Sequence, residues 1–501
     1  MKIAHNLFLG SAAIASSLLL FLPMLNASDE SMIAGAPRQE VLNKSKTGNA
    51  AAASKKGPFL RHSSSAGSMK TDMHRALSAV WSQLGDDIEG EFANDYSGSA
   101  ISLSDDGKTL AVGAPYNDGN GTTTNNDDSG HVKIYRWIDD EDDPALSYWL
   151  QLGDDIDGGE GAYDNFGKSV SLSSNGEILA VGAYGVGDGV DDDYRGKVKV
   201  FTYCKEAYQW TQLGDDIDGN AAYDYFGWSV SLSSNGDTIA IGAPSMMSAG
   251  HVKVFKLVED IQTLPVWTQL GDDIFGEFDY DASGSSVSLC DDGNTLAIGA
   301  PYNNGGNGTT WTGRGSARIY RWIEDDEDPT LSYWVQLGGD IDGEDNDYAS
   351  QSVSLSSDGE KIAVGAYGSD SWTGRVRVFS YCKKSHTWLQ IGDDIDGQAY
   401  NDAFGNSVSL SKNGETLAVG AQSGNDDNAG YVQVYRIEGN IGSASWVKIG
   451  NDIVGEAGYD YFGTAVSLSA DGKTVAIGAP YNDSEDLMHI DIGHVRVFGL
   501  E

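Results

Sequence analysis

The sequence predicts an all-β chain folded as a seven-bladed β-propeller of four-stranded antiparallel blades. Three observations carry this. The landmark W-x-Q-[LI]-G begins at Trp81, Trp149, Trp210, Trp267, Trp334 and Trp388, and an altered copy with Lys448 in place of Gln begins at Trp446. The segments between landmarks repeat one strand–turn–strand pattern, with no 3.6-residue apolar period in any copy. The last copy stops after a third strand, His494–Phe498, while an extra Trp strand stands in front of the first copy.

The copy that follows Trp149 shows the elements in order. An acidic stretch, G-D-D-I-D-G, runs from Gly153 to Gly158 and is expected to be a loop between blades. The segment from Ser169 to Ser173 alternates, placing Val170 and Leu172 on one face and serines on the other, as in a half-buried strand. Ser174-Asn175-Gly176 predicts a tight turn, because Asn-Gly supplies the positive φ that hairpin turns need. Ile178–Ala183 is the apolar return strand, and a variable polar loop leads to a third strand at Lys197–Phe201. The next Trp strand, at Trp210, is the fourth. Such a unit cannot bury both faces alone, whereas seven arranged radially do. The extra strand around residues 80–85 is expected to complete the last blade and so hide two open sheet edges.

A second repetition lies within the first. Copies 1 and 4 share I-Y-R-W-I, and copies 2 and 5 share F-[TS]-Y-C-K, so a three-blade unit reads as duplicated with one blade added. Cys204 and Cys382 then fall three blades apart. With Cys290 standing in for a turn serine, no internal disulfide is expected.

Charge sets the broad class. The 501 residues carry a net charge of −42. That argues against nucleic acid as a partner, because phosphate backbones are held by Lys and Arg. It also argues against direct contact of the propeller with anionic lipid. Residues 1–78 differ, with nine Lys+Arg against four Asp+Glu. Residues 1–27 read as a secretory signal peptide; an uncleaved anchor is the open alternative, since the apolar run from Leu7 to Leu25 reaches spanning length. Residues 28–75 read as a flexible low-complexity linker. Residues 76–501 read as the propeller. The expected location is extracellular, either secreted or held by the N-terminal helix.

The motifs resemble a known family. Phe-Gly opens the first strand at Phe166, Phe226, Phe404 and Phe462, and Gly-Ala-Pro closes the second at Gly113, Gly242, Gly299 and Gly478. This resembles the FG-GAP repeats of integrin α-subunit propellers and their bacterial and algal relatives, over about residues 79–501. The departures are Ser97 and Ser283 in place of Phe, Ala349-Ser350 in place of Phe-Gly, and Tyr or Gln in place of Pro in copies 2, 5 and 6. The resemblance implies a binding or adhesion module. The family's calcium loop is not carried over: its place holds only S-x-[DN]-G, as at Ser104–Gly107, with too few carboxylates to wrap an ion.

Two groups of residues are candidate sites. Asp155, Asp157 and Asp164 put carboxylates beside a flexible Gly, and Asp216, Asp218, Asp224 and Asp394, Asp396, Asp402 repeat the spacing. Calcium takes several oxygens from such loops, but Asp and Gly are also plain turn formers, and both readings stand. Trp311 with Arg314, and Trp372 with Arg375, lie in loops of adjacent blades, where an aromatic and a guanidinium suit a ligand hot spot. No H-E-x-x-H, G-x-S-x-G, P-loop, G-x-G-x-x-G or C-x-x-C occurs. The chain therefore reads as a non-enzyme: a monomeric extracellular propeller binding protein or glycan through an acidic rim, with calcium assistance. The alternatives are a polysaccharide-active enzyme on a propeller scaffold and an acidic structural protein without a discrete ligand.

Overall fold

The computed structural model describes residues 79–501 apart from 119–127, 141, 144–145, 159–162, 188–192, 246–247, 259–263, 306–312, 326, 329–330, 440–441 and 484–489. The expected signal peptide and linker, and Trp311, lie outside the described residues. Among the described residues, no helix is long and apolar enough to cross a membrane.

Seven antiparallel sheets succeed one another in a ring, a β-propeller. Blade 1 holds Ala100–Leu103, Thr109–Ala114 and His131–Ile138, then a fourth strand in two pieces, Tyr148–Gln151 and Ile156–Asp157. Both pieces pair with the third strand, the first against Tyr135–Ile138 and the second against His131 and Val132. The split recurs in every blade. This corrects the expectation of a free acidic loop. Ile156 is buried and rejoins the ladder, while the stretch before it bulges through Gly153 at φ +84. Ring closure is as expected: Trp81–Gln83 pairs with Phe498–Leu500, and Ile88–Glu89 with His494–Val495.

The core lies between blades rather than within them. One cluster joins Val132, Ile134 and Ile156 of blade 1 to Phe166, Val170, Leu172 and Val181 of blade 2. The four Phe of the Phe-Gly motif are all sealed in such seams. The Gly beside each is required by geometry. Gly227 has φ +88, and a Cβ there would sit 2.6 Å from the Lys197 carbonyl oxygen.

Three closed rings of seven hydrogen bonds join the blades, and each explains a repeated residue. At the first strands, the amide of each [SA]-[VI]-S-L leucine donates to the hydroxyl of the motif's second-last residue, a serine, in the preceding blade. The bonds run Leu103 to Ser467, Leu172 to Ser102, Leu232 to Ser171, Leu289 to Ser231, Leu355 to Ser288, Leu410 to Ser354 and Leu468 to Ser409, at 2.9–3.0 Å. The serine face is thus a seam satisfying the first strands' open edges, not a solvent face.

At the fourth strands, each landmark Trp indole donates to the [LI] carbonyl of the preceding blade at 2.7–3.0 Å, from Trp149 to Leu84 round to Trp81 to Ile449. The landmark Gly lies against that indole, leaving no room for a side chain, as at Gly214 beside Trp267. At the turns after the first strands, backbone N–H groups of Asp105, Ser174, Ser234, Asp291, Ser357, Lys412 and Ala470 each donate to the next residue in that circle. The cysteines are free thiols. Cys290 does the work of its serine counterparts, donating to Asp292 and accepting from the Thr295 amide.

Candidate ligand face

First strands begin, second strands end and third strands begin at the same end of the ring, opposite the circle of turns. That end is the candidate face. It is entered through a five-residue segment before each first strand, as in Tyr223-Asp-Tyr-Phe-Gly227. Its first, third and fifth residues have positive φ in all seven blades. Held left-handed residues of this kind cost on the order of 1 kcal/mol each outside Gly, so the surroundings must fix them.

The Asp at the second position does much of the fixing. Asp224 accepts from the Ala221 amide at 3.1 Å, and Asp402 from Ala399 at 2.8 Å, Gln398 at 3.0 Å and the Tyr431 hydroxyl at 2.8 Å. Asp95, Asp281, Asp347 and Asp460 accept from the equivalent loop amides. Asp164 occupies the same position, and burial raises its pKa. Asp95 also accepts from the Asn117 amide at 2.9 Å, and burial outweighs its hydrogen bonds to push its pKa up to about 6. These carboxylates brace the loops.

The other predicted carboxylates sit on or between the two pieces of the split fourth strands, and all but Asp157 lie within reach of a basic side chain. Asp155 accepts from Gln151 Nε2 at 2.6 Å and faces Lys133 at 3.7 Å. Asp216 accepts from Gln212 at 2.7 Å and pairs with Lys197 at 2.7 Å; Asp218 lies 3.5 Å from the same ammonium. Burial would raise the Asp216 pKa, but the hydrogen bonds from Lys197 and Gln212 prevail and hold it low. Asp394 accepts from Gln390 at 2.7 Å, and Arg375 bridges Asp394 at 3.2 Å and Asp396 at 2.8 Å. The landmark Gln is thereby explained, and Lys448 substitutes for it by pairing with Asp452 at 2.8 Å. Asp157 is exposed, with a pKa raised by burial and by the neighbouring Asp155 charge.

Two clusters have a metal-like donor set: Glu91 with His131 and Asp155, and Asp87 with Glu456 and His494. Each already holds a cation of the chain. Lys133 pairs with Glu91, and Arg496 lies 3.5 Å from Asp87 and 3.3 Å from Glu456. Burial, then the adjacent Lys133 charge, lowers the His131 pKa to about 4; burial does the same at His494. These imidazoles are neutral packing groups at the start of the third strand.

Aromatic side chains collect at the mouth of the channel, and sequence reasoning found one of them. Tyr481 meets Tyr96 at 4.9 Å between centroids, and Tyr96 meets Tyr116 at 5.2 Å. The Tyr184 hydroxyl donates to Tyr116, and the Tyr184 ring meets Trp228 edge-on at 5.0 Å. Across the mouth, Trp372 stacks on Tyr348 at 5.5 Å and meets Tyr367 at 5.4 Å. All of these rings are half-buried. Trp372 is held by a one-turn loop, Ser369–Trp372, whose Asp370, Ser371 and Trp372 all have positive φ. The structure thus separates the predicted pair: Trp372 joins the aromatic group, while Arg375 belongs to the Asp394–Asp396 ion pair. Arg314 is half-buried and pairs with Asp345 at 2.6 Å. The tyrosines of this group were legible only as residues that follow Gly-Ala or Gly-Ala-Pro, or that precede the Ser-Gly and Ala-Ser replacements of Phe-Gly.

One comparison with known proteins, the match to a repeat family, supports the fold. Residues 217–255 match the FG-GAP repeat family. No curated protein matches the chain. Among solved structures it is similar to a candidate 6-phosphogluconolactonase from Bacteroides uniformis ATCC 8492. That protein is 13% identical, with a TM-score of 0.45, and the match covers 72% of this chain and 86% of that one.

Proposed function

We propose that this FG-GAP-repeat propeller is an extracellular recognition module, not an enzyme, and that it takes a glycan ligand at the aromatic mouth of its channel. The observation that carries this reading is the Trp372 loop. Three successive left-handed residues hold a half-exposed indole flat against Tyr348. Strain of this kind persists where the fold over-determines it, and it clusters at ligand clamps. Half-exposed Tyr and Trp offer apolar faces to sugar C–H groups and hydroxyls to sugar oxygens, the mixture that ligand sites use. The export signal read in residues 1–27 supports the location.

The acidic pairs serve this reading as scaffold. Lys197 and Arg375 compensate them, so the proposal needs no calcium. The recurring histidines repeat at one blade position and are buried, which favours packing over catalysis. Protein ligands are the neighbouring possibility that the family resemblance implies; the aromatic mouth favours glycans.

The test is binding of the full chain to a panel of immobilised glycans, with wild type and Trp372→Ala compared at equal thermal stability. The proposal expects binding that falls at least about tenfold in the variant, the loss of about 1.4 kcal/mol of stacking. Absence of glycan binding, or binding indifferent to Trp372, overturns it.

A further inference from the structure

The position after the Phe-Gly motif recurs in every blade; blades 5 and 6 carry the amides Gln351 and Asn406 there, and blades 2 and 3 depart furthest from the pattern. In three blades a hydroxyl there turns back to its own backbone: Ser99 to the Tyr96 carbonyl, Ser285 to Ala282 and Thr464 to Tyr461, at 2.7–2.8 Å. Blades 2 and 3 carry Lys168 and Trp228 instead. The Lys168 ammonium lies 4.6 Å from the centroid of the Trp228 ring. Among the described residues it has no carboxylate within ion-pair distance, a state it shares with Lys199, Lys256, Lys361 and Lys384, whereas nine other lysines have one.

In a chain of net charge −42, an ammonium kept clear of carboxylates needs a reason. Lys199 and Lys361, which also lack a carboxylate, donate instead to the Gly158 and Asn413 carbonyls, and among the described residues Lys168 makes no such bond. A cation on an indole face satisfies none of its three N–H donors with an acceptor. Burial alone lowers the Lys168 pKa, with no neighbouring charge acting on it. The surrounding groups are aromatic: Tyr184 lies edge-on to Trp228, and its hydroxyl is bonded to Tyr116.

We propose that Lys168 and Trp228 form a subsite for an acidic sugar, a hexuronate residue of a polysaccharide. The carboxylate takes the Lys168 N–H donors and draws the ammonium off the ring. The freed indole face then packs against the sugar's C–H face. A charge-assisted bond to the carboxylate is formed in a site already partly desolvated, where it is worth more than in water. This names the ligand class within the recognition role argued above and rests on that role.

The experiment is calorimetric titration of the full chain with trigalacturonate and with neutral maltotriose at one ionic strength, on wild type, Lys168→Gln and Trp228→Leu. Melting curves check that each variant folds. Wild type is expected to prefer trigalacturonate at least about tenfold, and Lys168→Gln to erase that preference. Trp228→Leu is expected to weaken binding of trigalacturonate. Equal binding of the two sugars by wild type, or a preference that survives Lys168→Gln, overturns the subsite while leaving the glycan role standing. No binding of either sugar overturns the subsite; the wider role then stands or falls on the glycan panel and Trp372→Ala.

Discussion

The ammonium of Lys412, on blade 6, lies 2.7 Å from the carboxylate of Asp291, on blade 4, across the centre of the ring. It also lies 2.6 Å from Asp105 and 2.7 Å from the Ser174 hydroxyl. Blades that share no seam are thus tied by one side chain at the circle of turns. The other end of the ring carries the aromatic side chains of the proposed ligand site.

Lys412→Met removes the central cation and leaves Asp105 and Asp291 facing each other. The expected loss is about 2 kcal/mol, the scale of hydrogen bonds to charged groups discounted for partial exposure. The midpoint of thermal unfolding should fall by roughly 2–4 °C. Adding Asp105→Asn and Asp291→Asn to Lys412→Met should recover part of it, because the three residues act as one unit. Additive losses would show that they do not.

Ser231→Ala strands the Leu289 amide at a buried seam. An unsatisfied buried donor costs about 1–3 kcal/mol, so denaturant titration should show that loss with an unchanged m-value. Lys448→Gln, by contrast, restores the landmark residue of the other six copies and should shift stability by less than about 0.5 kcal/mol.

Asp95 gives a pH signature. Burial raises its folded pKa to about 6 from an ordinary 3.8, so folding favours its protonated form. That stabilisation is complete below pH 3.8 and is lost as pH rises through about 6. Asp95→Asn keeps a neutral acceptor for the Phe92 and Glu91 amides at every pH. The stability of the variant relative to wild type should therefore rise between pH 4 and pH 7, by on the order of 3 kcal/mol. A difference constant across that range would contradict the assignment.

The fold was legible because seven copies say the same thing. The Trp landmark, the alternating Ser-Val-Ser-Leu segment and the unpaired strand at Trp81 all lead to one architecture. What stayed hidden were contacts that a single copy does not display. Ser171 reads as a solvent-face residue, and only its neighbour's Leu232 amide shows it to be a seam. Asp155 and Asp394 read as loop ligands because Gly and Asp favour loops, yet Ile156 and Ile395 return to the ladder and hold them beside Gln151 and Gln390. Lys168 and Trp228 escaped notice because they are exceptions at a position where other copies carry uncharged polar residues. Their signal exists only in the alignment of the copies with one another.

The central claim is that the recurrent carboxylates are scaffold, held by the chain's own cations and amides, while recognition belongs to the mouth. Thermal unfolding of the full chain in excess EDTA, and then in millimolar calcium at matched ionic strength, tests it most directly. The account predicts coincident midpoints. A site filled at 100 times its dissociation constant would add about 2.7 kcal/mol. A saturable rise in midpoint with calcium, abolished by Asp216→Asn with Asp218→Asn, would place a metal among these residues and contradict the account.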